Sequence, residues 1–193
     1  MRKIAKIFQT ISYWPTRLVL KFFFNHKIEG LENLKEFENK PIIFASNHLS
    51  FVDPLLVATS VPLKFLPIRF LATERLYKLR NLPVILYIWL HGSIKVRKYG
   101  GDLETSLKKV VRLLKKGEKV WIFPEGKRRS DGKLEQGKRG VAYLHKETRA
   151  PIVPVAIVGK SRVVFGKPIY SLGESSLEEG VDKVMFAIKE LMK

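Results

Sequence analysis

The chain has 193 residues, is 46% hydrophobic and carries 36 basic against 18 acidic side chains, for a formal charge of +18 at neutral pH. This length fits one domain with one sizeable core, and no linker, repeat or low-complexity tract interrupts it. The absence of cysteine excludes disulfides, zinc–thiolate sites and covalent catalysis by a thiol. The positive charge favours an anionic partner: nucleic acid, anionic lipid, coenzyme A or an acidic carrier protein.

The first 24 residues are basic and amphipathic. Residues 1–24 contain five cations and no acidic residue. Their apolar side chains recur at helical spacing on one side, at Ile4, Ile7, Phe8, Ile11, Leu18, Val19, Phe22 and Phe23. Because Pro15 interrupts this pattern, we expect two short helices or one kinked helix rather than a straight one. This composition is typical of a helix in a membrane interface, and packing on the protein core is the alternative.

A histidine and a carboxylate lie five residues apart after the next apolar run. Residues 41–46 predict a buried strand, because the run is short, apolar and β-branched, and the motif N-H-L-S-F-V-D follows at residues 47–53. Asp53 and Pro54 suit the start of a helix, as N-cap and first helical residue. His48 is therefore expected on a strand-to-helix loop, at the edge of the sheet where sites form. On spacing alone, an ordinary loop histidine is an equally good interpretation.

The rest of the chain predicts alternating strands and helices. Further strands are expected at residues 65–72, 93–96, 120–123, 152–158 and 162–165. Helices are expected at residues 54–60, 82–91, 103–116, 138–146 and 177–192. Strands separated by helices indicate a single α/β domain with a largely parallel sheet flanked by helices. We assign this domain to residues 25–193, after the membrane-interface segment of residues 1–24.

A second motif, F-P-E-G-K-R at residues 123–128, follows an apolar run and opens into a cluster of cations. A guanidinium binds phosphate through two parallel hydrogen bonds, so Arg128 is the first candidate for holding an anionic group. Lys127 adds charge, and Gly126 permits a turn that other residues resist. Glu125 could order Arg128, bind a substrate hydroxyl or form a plain ion pair. A base held by a carboxylate beside a phosphate site suits proton abstraction from a phosphorylated alcohol.

The two motifs together resemble those of the glycerolipid acyltransferases of the 1-acyl-sn-glycerol-3-phosphate O-acyltransferase type. That family shows N-H-x4-D, which residues 47–53 match in full. It also shows F-P-E-G-T-R-S, from which the chain departs at Lys127 and Arg129.

Two weaker segments extend the resemblance to residues 25–170. The family's G-x-I-F-x-x-R segment is similar to residues 92–98, where Lys98 takes the basic position with Arg97 beside it. Residues 151–157 match the family's late apolar strand with its internal proline. All four segments follow in the family's order.

The resemblance implies an acyl transfer and a role for each candidate residue. A fatty acyl group would pass from a thioester donor to the free hydroxyl of 1-acyl-sn-glycerol-3-phosphate, giving phosphatidate for phospholipid biosynthesis. His48 would be the general base, and Asp53 would fix its tautomer and stabilise the imidazolium. A thiolate, with a conjugate-acid pKa of about 8.5, leaves with little help, so no covalent enzyme intermediate is expected.

The substrate site implied by the resemblance is cationic. Arg128 is the first choice for the acceptor phosphate and Lys127, Lys98 and Arg97 follow it, while Glu125 and Gly126 complete the site. We expect no metal and no cofactor, only acyl-coenzyme A or an acyl carrier protein as donor. The other partners expected are a membrane lipid acceptor and an anionic membrane surface, without nucleic acid. An inactive relative or a nucleic-acid-binding basic domain is the alternative, although no nucleic-acid reader motif is present.

The longest apolar run is residues 82–90, which falls short of the about 18 residues that span a bilayer. It predicts a buried core helix, and the alternative is a helix that lines an acyl-chain groove or enters lipid. We therefore expect monotopic or peripheral attachment to the cytoplasmic face of the cell membrane.

Overall fold

The computed structural model describes residues 2–77, 82–96, 102–129, 131–159, 161–173 and 176–193. Its strands are β1 (Lys27–Glu29), β2 (Ile42–Ser46), β3 (Ile68–Thr73), β4 (Ile94–Val96), β5 (Lys119–Ile122), β6 (Ile152–Val158) and β7 (Arg162–Phe165). Its α-helices are α1 (Arg2–Phe24), α2 (Asp53–Ser60), α3 (Leu82–Leu90), α4 (Leu103–Lys115), α5 (Gly140–Thr148) and α6 (Leu177–Leu191). Short 3₁₀ helices lie at Leu31–Phe37, Leu63–Phe65 and Glu74–Tyr77.

The described strands form one sheet in the order β1-β7-β6-β2-β5-β3-β4. Every neighbouring pair is parallel except β6 and β7, which are antiparallel. The prediction of a single α/β domain with a largely parallel sheet is therefore confirmed. The three-residue strand β1 was missed, because so short a run has no readable alternation. The parallel register brings the carboxyl ends of β2, β5 and β3 to one edge of the sheet.

The sheet is buried on both faces. Ile43 and Phe44 are neighbours on β2, yet they belong to different core clusters because successive strand residues point to opposite faces. On the Phe44 face, the ring of Trp121 stacks on Phe44 at a centroid distance of 4.8 Å, and α1 and α2 cover them. On the Ile43 face, α4, α5 and α6 supply the packing. Because both faces of the sheet are covered in this three-layer arrangement, the edge at the carboxyl ends of β2 and β5 is left as the place for a site.

Helix α1 is one helix from Arg2 to Phe24 with Pro15 inside it, so of the two alternatives that the sequence left open, two short helices or one kinked helix, the first is wrong. Tertiary hydrogen bonds support it on both sides of the proline. The Gln9 amide donates to the carbonyl of Ile68 at 2.8 Å and accepts the N–H of Ile68 at 2.9 Å. Beyond the proline, Arg17 donates to the carbonyl of Thr59 at 2.9 Å. These contacts offset the hydrogen bond that proline cannot make.

The apolar side of α1 faces outward. Only four of its side chains are buried, those of Ala5, Gln9, Tyr13 and Leu20. The exposed large apolar side chains are Ile4, Ile7, Ile11, Trp14, Leu18, Val19, Phe22, Phe23 and Phe24. The helix therefore packs on the domain through a narrow, partly polar face and leaves its apolar stripe uncovered. No helix among the described residues has the length and hydropathy needed to cross a membrane.

Helix α3 was predicted to be a buried core helix, and that prediction is wrong. Leu82 is 62% exposed, Leu86 54% and Trp89 44%. The helix connects β3 to the edge strand β4, and no further strand of the described sheet lies beyond β4. Its outer side is therefore uncovered, while Tyr87 and Ile88 line a cavity. The alternative, a helix that lines an acyl-chain groove or enters lipid, is compatible with this position and stays a prediction.

Candidate active site

The structure brings His48 and Asp53 into direct contact. The Nδ1 atom of His48 lies 2.7 Å from Oδ2 of Asp53. The same oxygen accepts the backbone N–H groups of Leu49 at 2.7 Å and Ser50 at 2.8 Å. Because a carboxylate oxygen only accepts here, Nδ1 carries a hydrogen, and Nε2 is the nitrogen that holds the lone pair when the imidazole is neutral. Asp53 was predicted as the N-cap of α2. It is instead the first helical residue, because the carbonyl of Val52 accepts the first helical N–H groups, those of Leu55 and Leu56.

Two neighbours outside the His–Asp pair fix the position of the imidazole. The side chain of Asn47 accepts the N–H of Ile157 at 2.7 Å and donates to its carbonyl at 2.9 Å, which fastens the loop to β6. The ring of Phe123 stacks on His48 at a centroid distance of 4.0 Å and an angle of 17°. These roles of Asn47 and Phe123 were missed, although both residues stand in the two motifs. Only the folded sheet places the ends of β2, β5 and β6 side by side.

Residues 124–129 and 131–137, which we call the cationic loop, lie against the backbone of His48. The His48 N–H donates to Oε1 of Glu125 at 3.0 Å, and the N–H of Arg129 donates to the His48 carbonyl at 2.7 Å. Oε2 of Glu125 accepts the N–H of Glu135 at 3.1 Å. Glu125 is 3% exposed, and this burial raises its pKa, while the N–H groups of Glu135 and His48 act against the rise. Both carboxylate oxygens of Glu125 thus accept a backbone N–H group. A contact of Glu125 with substrate stays a prediction.

The cations of the cationic loop differ in whether a carboxylate pairs with them. Lys127 forms an ion pair with Glu135, and Arg129 forms ion pairs with Glu135 and Asp131. The hydrogen bond from Arg129 lowers the pKa of Asp131 to about 2. Arg128 is exposed, and its guanidinium lies 5.8 Å from the centre of the Phe51 ring. Within the described parts of the chain no carboxylate pairs with Arg128, so its guanidinium is open to an external anion.

Gly126 has the backbone conformation that the motif predicts. Its φ of +66° lies in the left-handed region, which side chains resist. A Cβ at this position would also lie 3.1 Å from Cε of Lys138. The two other predicted cations, Arg97 and Lys98, lie outside the described residues.

A cavity of about 890 Å³ joins these groups. Its lining includes His48 and Phe123. Four cations also line it, Lys127 and Arg128 of the cationic loop and Lys138 and Arg139 just before α5. From α2, β3 and α3 it is mainly apolar, with Leu55, Ala58, Phe70, Tyr87 and Ile88 among the residues. The volume lies in the range of sites that enclose small molecules. One cavity therefore offers a base, a cationic surface and an apolar wall.

A second histidine, His91, also lines the cavity. Its Nδ1 lies 2.9 Å from the carbonyl of Tyr87, and its Nε2 lies 3.1 Å from the Ser12 hydroxyl. Burial lowers the pKa of His91. In contrast to His48, it contacts no carboxylate among the described residues, so His48 is the better base. The described residues also contain no group of three or more His, Asp or Glu side chains that could hold a metal ion.

Comparisons with known proteins identify relatives of this chain. The family model named Acyltransferase matches residues 25–158. The chain is 29% identical over 185 residues to 1-acyl-sn-glycerol-3-phosphate acyltransferase BAT2, chloroplastic, of Brassica napus, covering 86% of this chain and 49% of that protein. It is 30% identical over 163 residues to 1-acyl-sn-glycerol-3-phosphate acyltransferase LPAT1, chloroplastic, of Arabidopsis thaliana, covering 83% and 42%. The chain thus spans about half the length of the curated relatives it matches.

A solved structure shows the same fold. The crystal structure of the 1-acyl-sn-glycerophosphate (LPA) acyltransferase PlsC from Thermotoga maritima matches with a TM-score of 0.66 at 21% sequence identity. The match covers 98% of this chain and 97% of that one. Because the family model extends over most of the chain and includes both motifs, this chain belongs to the acyltransferase family.

Proposed function

We propose that this chain transfers a fatty acyl group from a thioester donor to the free hydroxyl of 1-acyl-sn-glycerol-3-phosphate, giving phosphatidate for phospholipid biosynthesis. One observation carries the proposal: His48, held by Asp53 at 2.7 Å, lines the same cavity as Arg128, with which no carboxylate of the described residues pairs. The curated relatives are named for acyl transfer to the same acceptor, which supports the proposal.

The chemistry needs one base and no enzyme nucleophile. Nε2 of His48 removes the proton of the acceptor hydroxyl as that oxygen attacks the thioester carbonyl. Asp53 keeps Nδ1 protonated and stabilises the imidazolium that forms. When the tetrahedral intermediate collapses, the C–S bond breaks, and the thiolate takes the proton back from His48. The products are the new ester and a free thiol, and no cofactor takes part.

Arg128 is the residue proposed to hold the acceptor phosphate. Its guanidinium is exposed beside Phe51, whereas Lys127 is engaged by Glu135. A charge-assisted, two-point contact to phosphate is geometrically specific as well as strong. Arg97 and Lys98 remain secondary candidates.

The apolar part of the cavity suits a fatty acyl chain. Leu55 and Ala58 on α2, Phe70 on β3 and Ile88 on α3 line it. Apolar surface removed from water stabilises a bound chain by about 0.8 kcal/mol per buried methylene. The donor that carries the chain is proposed to be acyl-coenzyme A or an acyl carrier protein.

Attachment to one leaflet, on the cytoplasmic face of the cell membrane, is proposed from the distribution of exposed apolar side chains. Among the described residues, all but Tyr170 and Phe186 of the large exposed apolar side chains lie on α1, on α3 or at Phe51 and Val52. Together with the cations of α1, this surface suits an anionic bilayer. Because Gln9 and Tyr13 of α1 are buried in the domain, the proposed membrane segment of residues 1–24 is also part of its core.

Thiol release from the donor tests the reaction directly. Because the chain has no cysteine, every thiol that appears comes from the donor. Acyl-coenzyme A and an acyl carrier protein are each offered with lysophosphatidate in anionic vesicles, and phosphatidate is identified by mass spectrometry. We expect release with at least one donor, and release slower by about 10²- to 10⁴-fold with His48→Ala. Absence of phosphatidate with both donors would contradict the proposal. Retention of RNA or DNA in preference to vesicles would favour the nucleic-acid alternative.

A further inference from the structure

The backbone of the base is held on both sides by one loop. Glu125 accepts the N–H of His48 at 3.0 Å, and Arg129 donates its N–H to the carbonyl of His48 at 2.7 Å. Arg128 lies between Glu125 and Arg129 in the chain. The residue proposed to bind phosphate is therefore flanked by the two residues that contact the peptide groups of His48.

The same loop is closed on itself by Glu135. Its N–H donates to the second oxygen of Glu125 at 3.1 Å. Its carboxylate pairs with both Lys127 and Arg129, the two positions at which the chain departs from the family motif. The hydrogen bond from Lys127 lowers the pKa of Glu135. These two cations are thereby paired within the loop, whereas Arg128 has no carboxylate partner among the described residues.

We propose that Glu125 and Glu135 are positioning residues that hold His48 and Arg128 in one rigid unit. Glu125 acts by accepting the two backbone N–H groups and does not touch substrate. Glu135 acts by pairing with Lys127 and Arg129, which keeps the cationic loop closed over Glu125. The inference rests on the proposed function, because it assigns the distance between phosphate and base to these two carboxylates.

Kinetic constants distinguish positioning from substrate contact. A displacement of about 1 Å in a catalytic group can lower the rate about 100-fold. In Glu125→Gln the amide oxygen can accept one backbone N–H, but the amide nitrogen then meets the other N–H, donor against donor. We expect kcat to fall roughly ten- to a hundred-fold while KM for a short-chain, water-soluble lysophosphatidate changes less than about threefold.

The variant Glu135→Gln separates positioning from substrate contact more sharply than Glu125→Gln does. It frees Lys127 beside Arg128 and leaves Arg129 paired with Asp131 alone, so the phosphate meets more free positive charge while the loop is looser. We expect kcat to fall roughly five- to fifty-fold while KM for lysophosphatidate stays equal or decreases, the opposite of losing a substrate contact. The carboxylate of Glu135 is partly exposed, so this variant tests the proposal whatever Glu125→Gln does to folding. The matched control is Glu38→Gln, which removes another exposed ion pair, with Lys64 at 2.7 Å.

Amide hydrogen exchange of the substrate-free protein supplies a readout independent of activity. We expect the His48 amide to exchange at least tenfold faster in Glu125→Gln and in Glu135→Gln than in the parent protein, and unchanged in Glu38→Gln. Faster exchange without any acyl transfer by the parent protein would support the positioning role and contradict only the proposed reaction. A rise in KM with unchanged kcat in Glu125→Gln would overturn the inference, because Glu125 would then contact the acceptor. Unchanged exchange and unchanged kcat in Glu135→Gln would also overturn it.

Discussion

Oδ2 of Asp53 lies 2.7 Å from Nδ1 of His48 and accepts, in addition, the N–H groups of the two residues that follow the histidine. One oxygen therefore sets the tautomer of the imidazole and the path of the loop that carries it. Changes at Asp53 are expected to disturb both, whereas changes at His48 remove the base alone.

Replacement of His48 tests the base. We expect His48→Ala to lower kcat by about 10²- to 10⁴-fold, the usual contribution of a positioned general base. Asp53→Asn should be similarly severe. Acyl transfer is measured on a short-chain acceptor, with thermal unfolding as a check of folding and His26→Gln as the control. Near-normal turnover of a folded His48→Ala protein would contradict the mechanism.

Replacement of Arg128 tests phosphate recognition. Loss of a charge-assisted contact costs about 1.5–3 kcal/mol, so Arg128→Ala should raise KM for lysophosphatidate about ten- to a hundred-fold. Arg128→Lys should recover part of this loss, because an ammonium keeps the charge without the two-point geometry. Lys108→Ala, on the exposed face of α4, is the control and should have little effect.

An acceptor without phosphate separates recognition from a structural role of Arg128. Monoacylglycerol should be a poor substrate of the parent protein, and Arg128→Ala should lose no further activity on it. An equal loss on both acceptors would show that Arg128 supports the fold, and attention would move to Arg97 and Lys98.

Replacement of two exposed aromatic residues tests the membrane-facing surface. Phe22 is 76% exposed and Phe23 79%, so their change to serine removes apolar surface without opening the core. Burial of a large apolar side chain contributes about 1.5–3 kcal/mol. Loss of two partly inserted side chains should therefore weaken vesicle binding of the double variant roughly ten- to a hundred-fold relative to the parent protein. Binding is measured by co-sedimentation with anionic vesicles. Phe186→Ser, 64% exposed on α6, is the control. Equal vesicle binding by the double variant and the parent protein would place the membrane contact elsewhere.

Two partly buried histidines give a prediction for pH. Burial lowers the pKa of His26 and of His91 in the folded protein. Below about pH 6.5 the unfolded chain therefore binds protons that the folded chain does not, and the free energy of unfolding falls as pH falls. Urea unfolding at pH 7 and pH 5 should show this loss. It should be smaller in the double variant His26→Gln with His91→Gln, and an equal loss in both proteins would contradict the assignment.

Local pattern predicted the elements of this fold well where burial is periodic. The buried face of α4 carries Leu107, Val110 and Leu114, and its boundaries lie within one residue of those predicted. The prediction of a buried core helix for α3 was wrong. An apolar run shows that a segment is hydrophobic, but it does not show what covers that segment. At Pro15 the pattern left two short helices or one kinked helix open, and hydrogen bonds from Gln9 and Arg17 to distant backbone carbonyls support one helix.

The sequence by itself determined the family and the α/β class. It also indicated the pairing of His48 with Asp53, because a spacing of five residues across a strand-to-helix loop needs only local geometry. Only the tertiary structure decided the partners of Glu125. His48 lies 77 residues from Glu125 along the chain, and no local pattern encodes a hydrogen bond between them. The ion pairs of Lys127 and Arg129 with Glu135 are likewise not encoded locally. Among these three neighbouring cations, Arg128 is the one with no carboxylate partner in the described parts of the chain. Which charges are free depends on side-chain distances in space, and these arise only when parallel strands bring their carboxyl ends to one edge.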